Sequence, residues 1–378
     1  MANEKKTVRE PSFILALVPI VAMIAFMLYC FRGHSETGYH DAHLPLVMSI
    51  IVACIVGFIC GHSFQEMLAG MVERLAASME AVLILATVGF LVTSFMLSGA
   101  IPTMIVYGLD LLTPQLFLPI GCILCAIVGM ACGSSWTTTA TIGLAFLGIG
   151  AGLGIPAPIT AGMIISGAYV GDKFSPLSDT TNLAAAVAET GLFDHVTAMV
   201  STTGPTLLLS LILYTILGLN VDTSAYDATV AEGIQEAFRG AFTISPILLL
   251  PIIVVIVMCI LRVPGLVGIA ISVATAVVFM LIFQSTDIFY SYSLGDIFDV
   301  LHYGHAVETG NAVADSILGK AKGMDGMMWT INLILVALAY GGALERCGCI
   351  EKLFGGLKHK IHSVGSLILA TLLTSIFC

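Results

Sequence analysis

The sequence predicts an all-α polytopic membrane protein, and three observations predict it. Hydrophobic residues make up 58% of the 378-residue chain and charged residues only 10%, whereas a soluble domain carries about 25% charged residues. Mean hydropathy is +1.03. Charge-free stretches recur along the chain at the length a bilayer crossing needs, about 20 apolar residues. Such a surface cannot face water on all sides, so a cytosolic enzyme, a nucleic-acid binder and a disordered regulator are excluded together. The net charge of −10 also speaks against a nucleic-acid partner. The lipid bilayer is the expected surrounding. The expected architecture is one integral membrane domain over 1–378, an inverted-repeat bundle with broken helices or hairpins and an incomplete second repeat.

The spans follow in order: 11–31, 42–65, 81–109, 111–171, 195–221, 240–261, 263–286, 326–344, and a last stretch from 363 to the terminus. The run 111–171 is long enough for three crossings, divided at Pro114, Gly133-Ser134-Ser135 and Gly154-Ile155-Pro156. This makes ten complete crossings plus one cut short at Cys378. The first is too long for a cleaved signal peptide, and no small-x-small site follows it. Residues 62–80 carry Glu66, Glu73, Arg74 and Glu80 among Met and Leu, the pattern of an amphipathic interfacial helix. With the N-terminus in the cytoplasm, ten of the 14 Lys and Arg fall inside and four outside, as the positive-inside rule asks. The acidic segments 222–236 and 287–325 then lie outside.

Ser98-Gly99-Ala100-Ile101 is echoed by Cys347-Gly348-Cys349-Ile350, at an offset of 249 within the segments 81–132 and 327–378. The helices before the two copies run in opposite directions in this topology. Inverted repeats of that kind are a hallmark of secondary transporters. The first copy continues into Gly133-Ser134-Ser135-Trp136-Thr137, and the chain ends where the second copy would begin it. A C-terminally truncated fragment is expected, with the second repeat starting at 327–378.

The cysteines do not make a disulfide framework. Cys30, Cys54, Cys60, Cys122, Cys125, Cys132, Cys259 and Cys378 lie in or beside apolar runs, where a thiol behaves as a small hydrophobe. Cys347 and Cys349 have the spacing of a metal pair but lack the His or Cys partners of a tetrahedral set. His34, His40 and His43 cluster in the first outside loop, the place of solvated histidines or of a pH sensor. No GxGxxG, Walker A or nucleophile-elbow pattern supports ATP-driven transport or hydrolysis.

The chemistry concentrates in residues 133–194. After 61 residues without a charge, Asp172, Lys173, Asp179, Glu189 and Asp194 arrive within 23 residues. Gly171 and Pro176 both interrupt helices, and Ser175, Ser178 and Asp179 are N-cap types. A helix stopping near Gly171, a short unwound stretch and a second helix from Asp179 are therefore expected. Irregular backbone at membrane depth is tolerated only where protein buries it or a watery cavity meets it. A broken helix of this composition points to a transporter binding site.

The oxygen donors there suit a hard cation such as Na+. Asp172 and Asp179 are the candidate carboxylates for Na+, with Ser178, Thr180, Thr181 and Asn182 beside them. A carboxylate in a partly desolvated site can hold a proton or a metal ion near neutral pH, and that competition is enough to build an antiporter. Lys173 and Ser175 are supporting candidates, the lysine as neutraliser of the carboxylate not holding an ion or as a residue snorkelling to the interface. The hydroxyl run Ser134–Thr139, with Thr141 beyond, adds Ser135, Thr137 and Thr138, either completing the oxygen shell or bonding helices together. Glu189 and Asp194 read as caps of the next helix.

The run Gly-Asp-Lys-Phe-Ser-Pro-Leu-Ser-Asp-Thr-Thr-Asn-Leu-Ala at Gly171–Ala184 resembles the signature of the NhaC family of Na+/H+ antiporters, in the wider ion transporter superfamily. Gly133–Thr139 resembles its upstream companion motif. The resemblance implies secondary exchange of cytoplasmic Na+ for external H+ at the plasma membrane, with no resident cofactor and Na+ and H+ as cargo. It also implies a transport domain with helical hairpins that moves elevator-fashion against a scaffold, and leaves room for a homodimer. A second broken-helix motif, usual in the C-terminal half of such proteins, is absent from this sequence. Some relatives exchange malate for lactate with Na+ and H+, and Lys173 or the hydroxyl-rich helix starts would then anchor a carboxylate. A non-transporting scaffold or receptor is the third reading; it gives no reason for carboxylates at a helix break.

Overall fold

The computed structural model describes residues 8–32, 41–132, 135–175, 178, 180–181, 184–185, 190–220, 228–261, 263–284, 294–358, 365, 368–369 and 371. These residues are helical, with no strand among them. In chain order the helices are α1 (Phe13–Phe31), α2 (His43–Ile59), α3 (Phe64–Ala77), α4 (Met79–Leu97), α5 (Ala100–Leu111) and α6 (Pro114–Cys132). The short α7 (Ser135–Thr138) runs through a π-helical turn (Thr139–Gly143) into α8 (Leu144–Gly152), followed by α9 (Ala157–Phe174) and α10 (Leu192–Leu219). Next come α11 (Ala228–Ala241), a 3-10 turn (Pro246–Leu249), α12 (Leu250–Ile260) and α13 (Gly265–Phe283). The last are α14 (Leu294–Tyr303), α15 (Ala312–Leu318), α16 (Asp325–Arg346) and α17 (Cys349–Lys358). The chain divides into two compact units, 1–83 with 329–378, and 84–328.

In the first unit α1 packs on α2 and on α17. Ser12 caps α1 by accepting from the Leu15 N–H at 3.3 Å. The expected interfacial helix forms as α3, opened by a capping box in which Ser63 Oγ accepts from the Glu66 N–H and Glu66 accepts from the Ser63 N–H. A small core of Ala16, Ala53, Met67, Ala343 and Cys349 is fully sealed. The α3 and α16 backbones touch at Gly70 and Gly342, where a Cβ on Gly342 would stand 2.6 Å from the Gly70 carbonyl oxygen.

The second unit is organised by the contact of α6 with α9. A Cβ added at Gly171 would lie 2.2 Å from the Ala126 carbonyl oxygen, and one at Gly167 would lie 2.3 Å from that of Cys122. Lipid tails are as apolar as leucine, so membrane helices associate by close backbone packing over small residues rather than by hydrophobic exclusion. α10 lies along both helices, its Tyr214 hydroxyl 2.8 Å from Ser166 Oγ on α9. Phe117 and Phe146 meet edge to face at 5.9 Å in the core. Leu208, Leu209, Ile212, Leu213 and Ile216 on α10 remain exposed, an apolar face that only hydrocarbon solvates well.

Several boundaries differ from expectation. The single crossing over 81–109 is two helices, parted at Ser98-Gly99, where Gly99 adopts φ +80°. The same turn recurs between α16 and α17, with Gly348 at φ +72°. The echo between the two tetrapeptides is therefore an echo of backbone shape. The crossing over 240–261 begins as the 3-10 turn, bent by 90° from α11. Among the described residues four helices reach crossing length, α1, α10, α13 and α16, or six spans if each of two bent pairs counts as one. The ten crossings expected from charge-free runs include apolar helices that are shorter than this, such as α2 and α5. The divisions of 111–171 at Pro114 and at Gly154-Ile155-Pro156 fall where the Pro and Gly signals put them, while Gly133-Ser134 lies outside the described residues. Helix α9, however, runs past Gly171 to Phe174, because that glycine packs against α6 instead of ending the helix. The acidic stretches 222–236 and 287–325 contribute α11, α14 and α15 rather than plain loops.

Candidate functional site

Three local features build the site. Helix α9 carries Asp172 into the core at its C-terminal turn; the residue is 8% exposed although its neighbours in sequence end a helix. The glycine pair Gly167 and Gly171 lets this turn press against α6, which holds the α9 backbone in place. The third feature is α7, whose Ser135 Oγ donates to Asp172 Oδ2 at 3.0 Å. Ser135 is itself buried. A carboxylate and a hydroxyl 37 residues apart in sequence thus meet in a buried pair.

Past α9 the chain folds back over the helix end. The Ser175 N–H donates to the Asp172 carbonyl at 3.1 Å, and the Ser178 N–H to the Ser175 carbonyl at 3.3 Å. Thr181 Oγ1 reaches the Asp172 and Lys173 carbonyls at 3.4 and 3.3 Å. The last carbonyls of a helix lack intrahelical partners, so this threonine covers oxygens that α9 leaves open. The Ser178 hydroxyl sits 3.0 Å from that of Thr180, and its Oγ accepts from the Thr181 N–H at 3.4 Å. Ser175, Ser178 and Thr181 are at most 1% exposed. The result is a buried cluster of one carboxylate, four hydroxyls and helix-terminal carbonyls.

The sequence candidates divide accordingly. Asp172, Ser135, Ser175, Ser178 and Thr181 come together; Thr180 joins them at the exposed rim. Lys173 is exposed, and no ion pair joins it to Asp172. Thr138 is buried next to the cluster, its carbonyl accepting from Thr141 Oγ1 at 3.3 Å. Asp179, Asn182 and Glu189, with Gly133, Ser134 and the Thr137 side chain, lie outside the described residues. Asp194 stands in the first turn of α10, where its charge meets the positive end of the helix dipole, but Gly191 and not Asp194 is the N-cap residue.

Two features of the structure go beyond the sequence expectations. One is the π-helical turn Thr139–Gly143 directly after α7. Such turns occur mostly as single insertions in α-helices, frequently at functional sites. Here the hydroxyl of Thr139 donates to the Ser135 carbonyl at 2.8 Å, and the run of three threonines before Ala140 was the available hint. The other is Gln284 at the end of α13. Its amide donates to the Ser98 carbonyl at 2.8 Å and accepts from the Thr243 N–H at 3.1 Å, so it ties the break at Ser98-Gly99 to the bend that follows α11.

The arrangement can hold a small cation or a proton at one buried carboxylate, with hydroxyl and carbonyl oxygens in reach. Among the described residues no group of three His, Cys, Asp or Glu could hold a transition metal.

Comparisons with known proteins place the chain in a family. Residues 167–378 match the model of the Na+/H+ antiporter family. The Na(+)/H(+) antiporter NhaC of Alkalihalophilus pseudofirmus is 34% identical over 336 residues, 89% of this chain and 71% of that protein. The arginine/ornithine antiporter ArcD of Halobacterium salinarum is 35% identical over 97% of this chain and 74% of its own length. The malate-2H(+)/Na(+)-lactate antiporter of Bacillus subtilis is 32% identical over 98% of this chain and 77% of its own. No solved structure matches. The match covers more than half the chain and the relatives exceed 30% identity over most of it, so this membrane transporter, an antiporter and not an enzyme, belongs to the Na+/H+ antiporter family.

Proposed function

We propose that the protein exchanges cytoplasmic Na+ for external H+, the two competing for a buried carboxylate at the end of α9, in a plasma membrane with the N-terminus in the cytoplasm. The observation that carries this reading is the hydrogen bond of Ser135 to Asp172 within an otherwise apolar unit. A desolvated carboxylate holds one positive partner comfortably and two poorly. Binding Na+ therefore expels the proton, and protonation expels Na+. Ser135, Ser178 and Thr181 supply neutral oxygens, which complete a shell for Na+ without adding charge that would trap it. Carbonyls at a helix C-terminus add partial negative charge toward a cation. Asp179 is proposed as the second carboxylate of the same site, with Asn182 beside it. No resident cofactor enters this scheme.

A second reading is favoured by the relatives themselves: proteins named for Na+/H+, arginine/ornithine and malate/lactate exchange stand at nearly equal identity, 32–35%. Exchange of an organic acid with Na+ and H+ would use the same carboxylate for the ion.

The test is a pH-sensitive dye in everted vesicles containing the protein, to which Na+, Li+, K+, malate and arginine are added in turn. Dequenching with Na+ alone supports cation exchange, and a response that requires malate supports the second reading. Asp172→Asn and, separately, Asp179→Asn are each expected to abolish Na+-dependent proton movement with the protein still present in the membrane. Undiminished exchange in either variant removes that residue from the site.

A further inference from the structure

The turn between α16 and α17 brings two thiols together. Cys347 Sγ and Cys349 Sγ are 3.1 Å apart, one thiol donating to the other. The backbone imposes this approach, since Gly348 between them is left-handed at φ +72° and the helix restarts at once at Cys349. The homologous turn at Ser98-Gly99-Ala100 shows that the geometry belongs to the turn and not to the sulfurs. There Ser98 Oγ donates to the carbonyl three residues back, Phe95, at 3.3 Å. Cys347 Sγ donates likewise to the Leu344 carbonyl at 3.3 Å. The first copy thus has Ser and Ala where the second has two cysteines.

The surroundings favour reaction at Cys347. It lines a cavity of about 520 Å³ that also meets Arg9, Glu10, His62, Arg346, Glu351 and Lys352, while Cys349 is wholly buried behind it. The thiolate is the reactive form of cysteine, and a second thiol 3.1 Å away stabilises it through the hydrogen bond between the two sulfurs. The hydrogen bond with the Cys349 thiol lowers Cys347 from the usual thiol range, against the opposing pull of burial. Cys349 is raised in turn, by the proton it shares and by burial. Among the described residues no third ligand makes the pair a metal site.

We propose that Cys347 and Cys349 are a peroxide-oxidised dithiol, a modification site that closes reversibly to a disulfide at the α16–α17 turn. Both sulfurs are at most 1% exposed, which suits a small neutral oxidant that can enter the cavity and disfavours bulky disulfides. The Cys347 thiolate attacks one oxygen of hydrogen peroxide, the O–O bond breaks, and hydroxide leaves and takes up a proton to become water. Cys349 then attacks the sulfur of the Cys347 sulfenic acid; the S–O bond breaks, and the second oxygen departs as water with the Cys349 proton. The two thiols lose two electrons, and peroxide gains them. Sulfenic acids condense with a neighbouring thiol in this way before further oxidation. A cytoplasmic disulfide is normally a transient, redox-sensing one, which fits the side to which the basic residues assign this turn.

The test treats the full chain in membranes with rising hydrogen peroxide, blocks free thiols with iodoacetamide, and measures the peptide carrying both cysteines by mass. The peptide is expected to lose two hydrogens and to resist alkylation, at a rate about tenfold or more above that of Cys54, a lone thiol on α2. Dithiothreitol should restore two alkylatable thiols. In Cys349→Ser the Cys347 sulfenic acid should accumulate and be trapped by dimedone, with no internal disulfide. The proposal is overturned if the pair stays reduced after Cys54 has reacted, or if Cys347 climbs to the sulfinic acid beside an intact Cys349. A disulfide that still forms in Cys349→Ser assigns the partner to another cysteine and overturns it equally.

Discussion

Gly171→Ala tests whether the site depends on the backbone contact of α9 with α6. The added methyl would lie 2.2 Å from the Ala126 carbonyl oxygen and 2.7 Å from the Met130 backbone nitrogen. Neither neighbour is the tip of a flexible side chain, so the helices themselves must part by roughly 1 Å to restore van der Waals contact at about 3.5 Å. Overpacking of this kind costs about 1–3 kcal/mol. Asp172 is the next residue, and a shift of that size stretches its 3.0 Å bond from Ser135 beyond hydrogen-bond range. The matched control is Gly162→Ala on the same helix, where the added methyl meets only the Tyr214 hydroxyl at 3.6 Å. Alanine gains about 0.5–1 kcal/mol over glycine in a helix, so the control should be as stable as the parent or more so. Thermal unfolding in detergent and Na+-dependent dye dequenching in everted vesicles read out the two effects. The expected result is a lowered midpoint with lost exchange for Gly171→Ala, and neither change for Gly162→Ala. A Gly171→Ala protein with the parent's midpoint and full exchange would refute the reasoning.

Further outcomes are expected elsewhere. Ser135→Ala removes a hydrogen bond to a charged group, worth about 1.5–3 kcal/mol, and should raise the Na+ concentration for half-maximal exchange by about tenfold or more while the maximal rate persists. Gln284→Ala leaves the Ser98 carbonyl and the Thr243 N–H without this partner; at about 1–3 kcal/mol for each orphaned group, the thermal midpoint should fall by several degrees. The Asp41 carboxyl is lowered to about 2, chiefly by the hydrogen bond from the His43 side chain and also by that from Trp329 Nε1. A carboxylate depressed on folding stabilises above its unfolded value of about 3.9, and that contribution disappears as the pH falls through about 2. Acid titration followed by Trp329 fluorescence in a Trp136→Phe background should therefore show its transition nearer pH 2 than pH 4, and Asp41→Asn should abolish it.

The candidate site shows how far a sequence reaches. Asp172, Ser175, Ser178 and Thr181 were legible because charge is scarce: after 61 uncharged residues, any carboxylate beside Gly and Pro stands out. Ser135 was legible as one hydroxyl in a run, but nothing in its spacing said that it, and not a neighbour, would meet Asp172 at 3.0 Å. Gly171 was misread for a physical reason. Glycine both ends helices and lets them touch, and only the position of α6 decides which applies here. The break at Gly99 was visible as a repeat but not as a break, because Ser98-Gly99 interrupts no apolar run. Gln284, 186 residues from Ser98, had no local signature at all.

The sequence by itself determined that this chain lives in a bilayer, that it is helical, and that its candidate site lies near residues 133–194. Composition and helix-stop signals are local properties, and the cost of hydrocarbon around charge acts on each residue separately. Tertiary structure alone decided which way Lys173 points, where α9 ends, and which hydroxyls close around Asp172. Those outcomes depend on two helix backbones approaching until only hydrogen atoms fit between them, and no one-dimensional pattern records that distance.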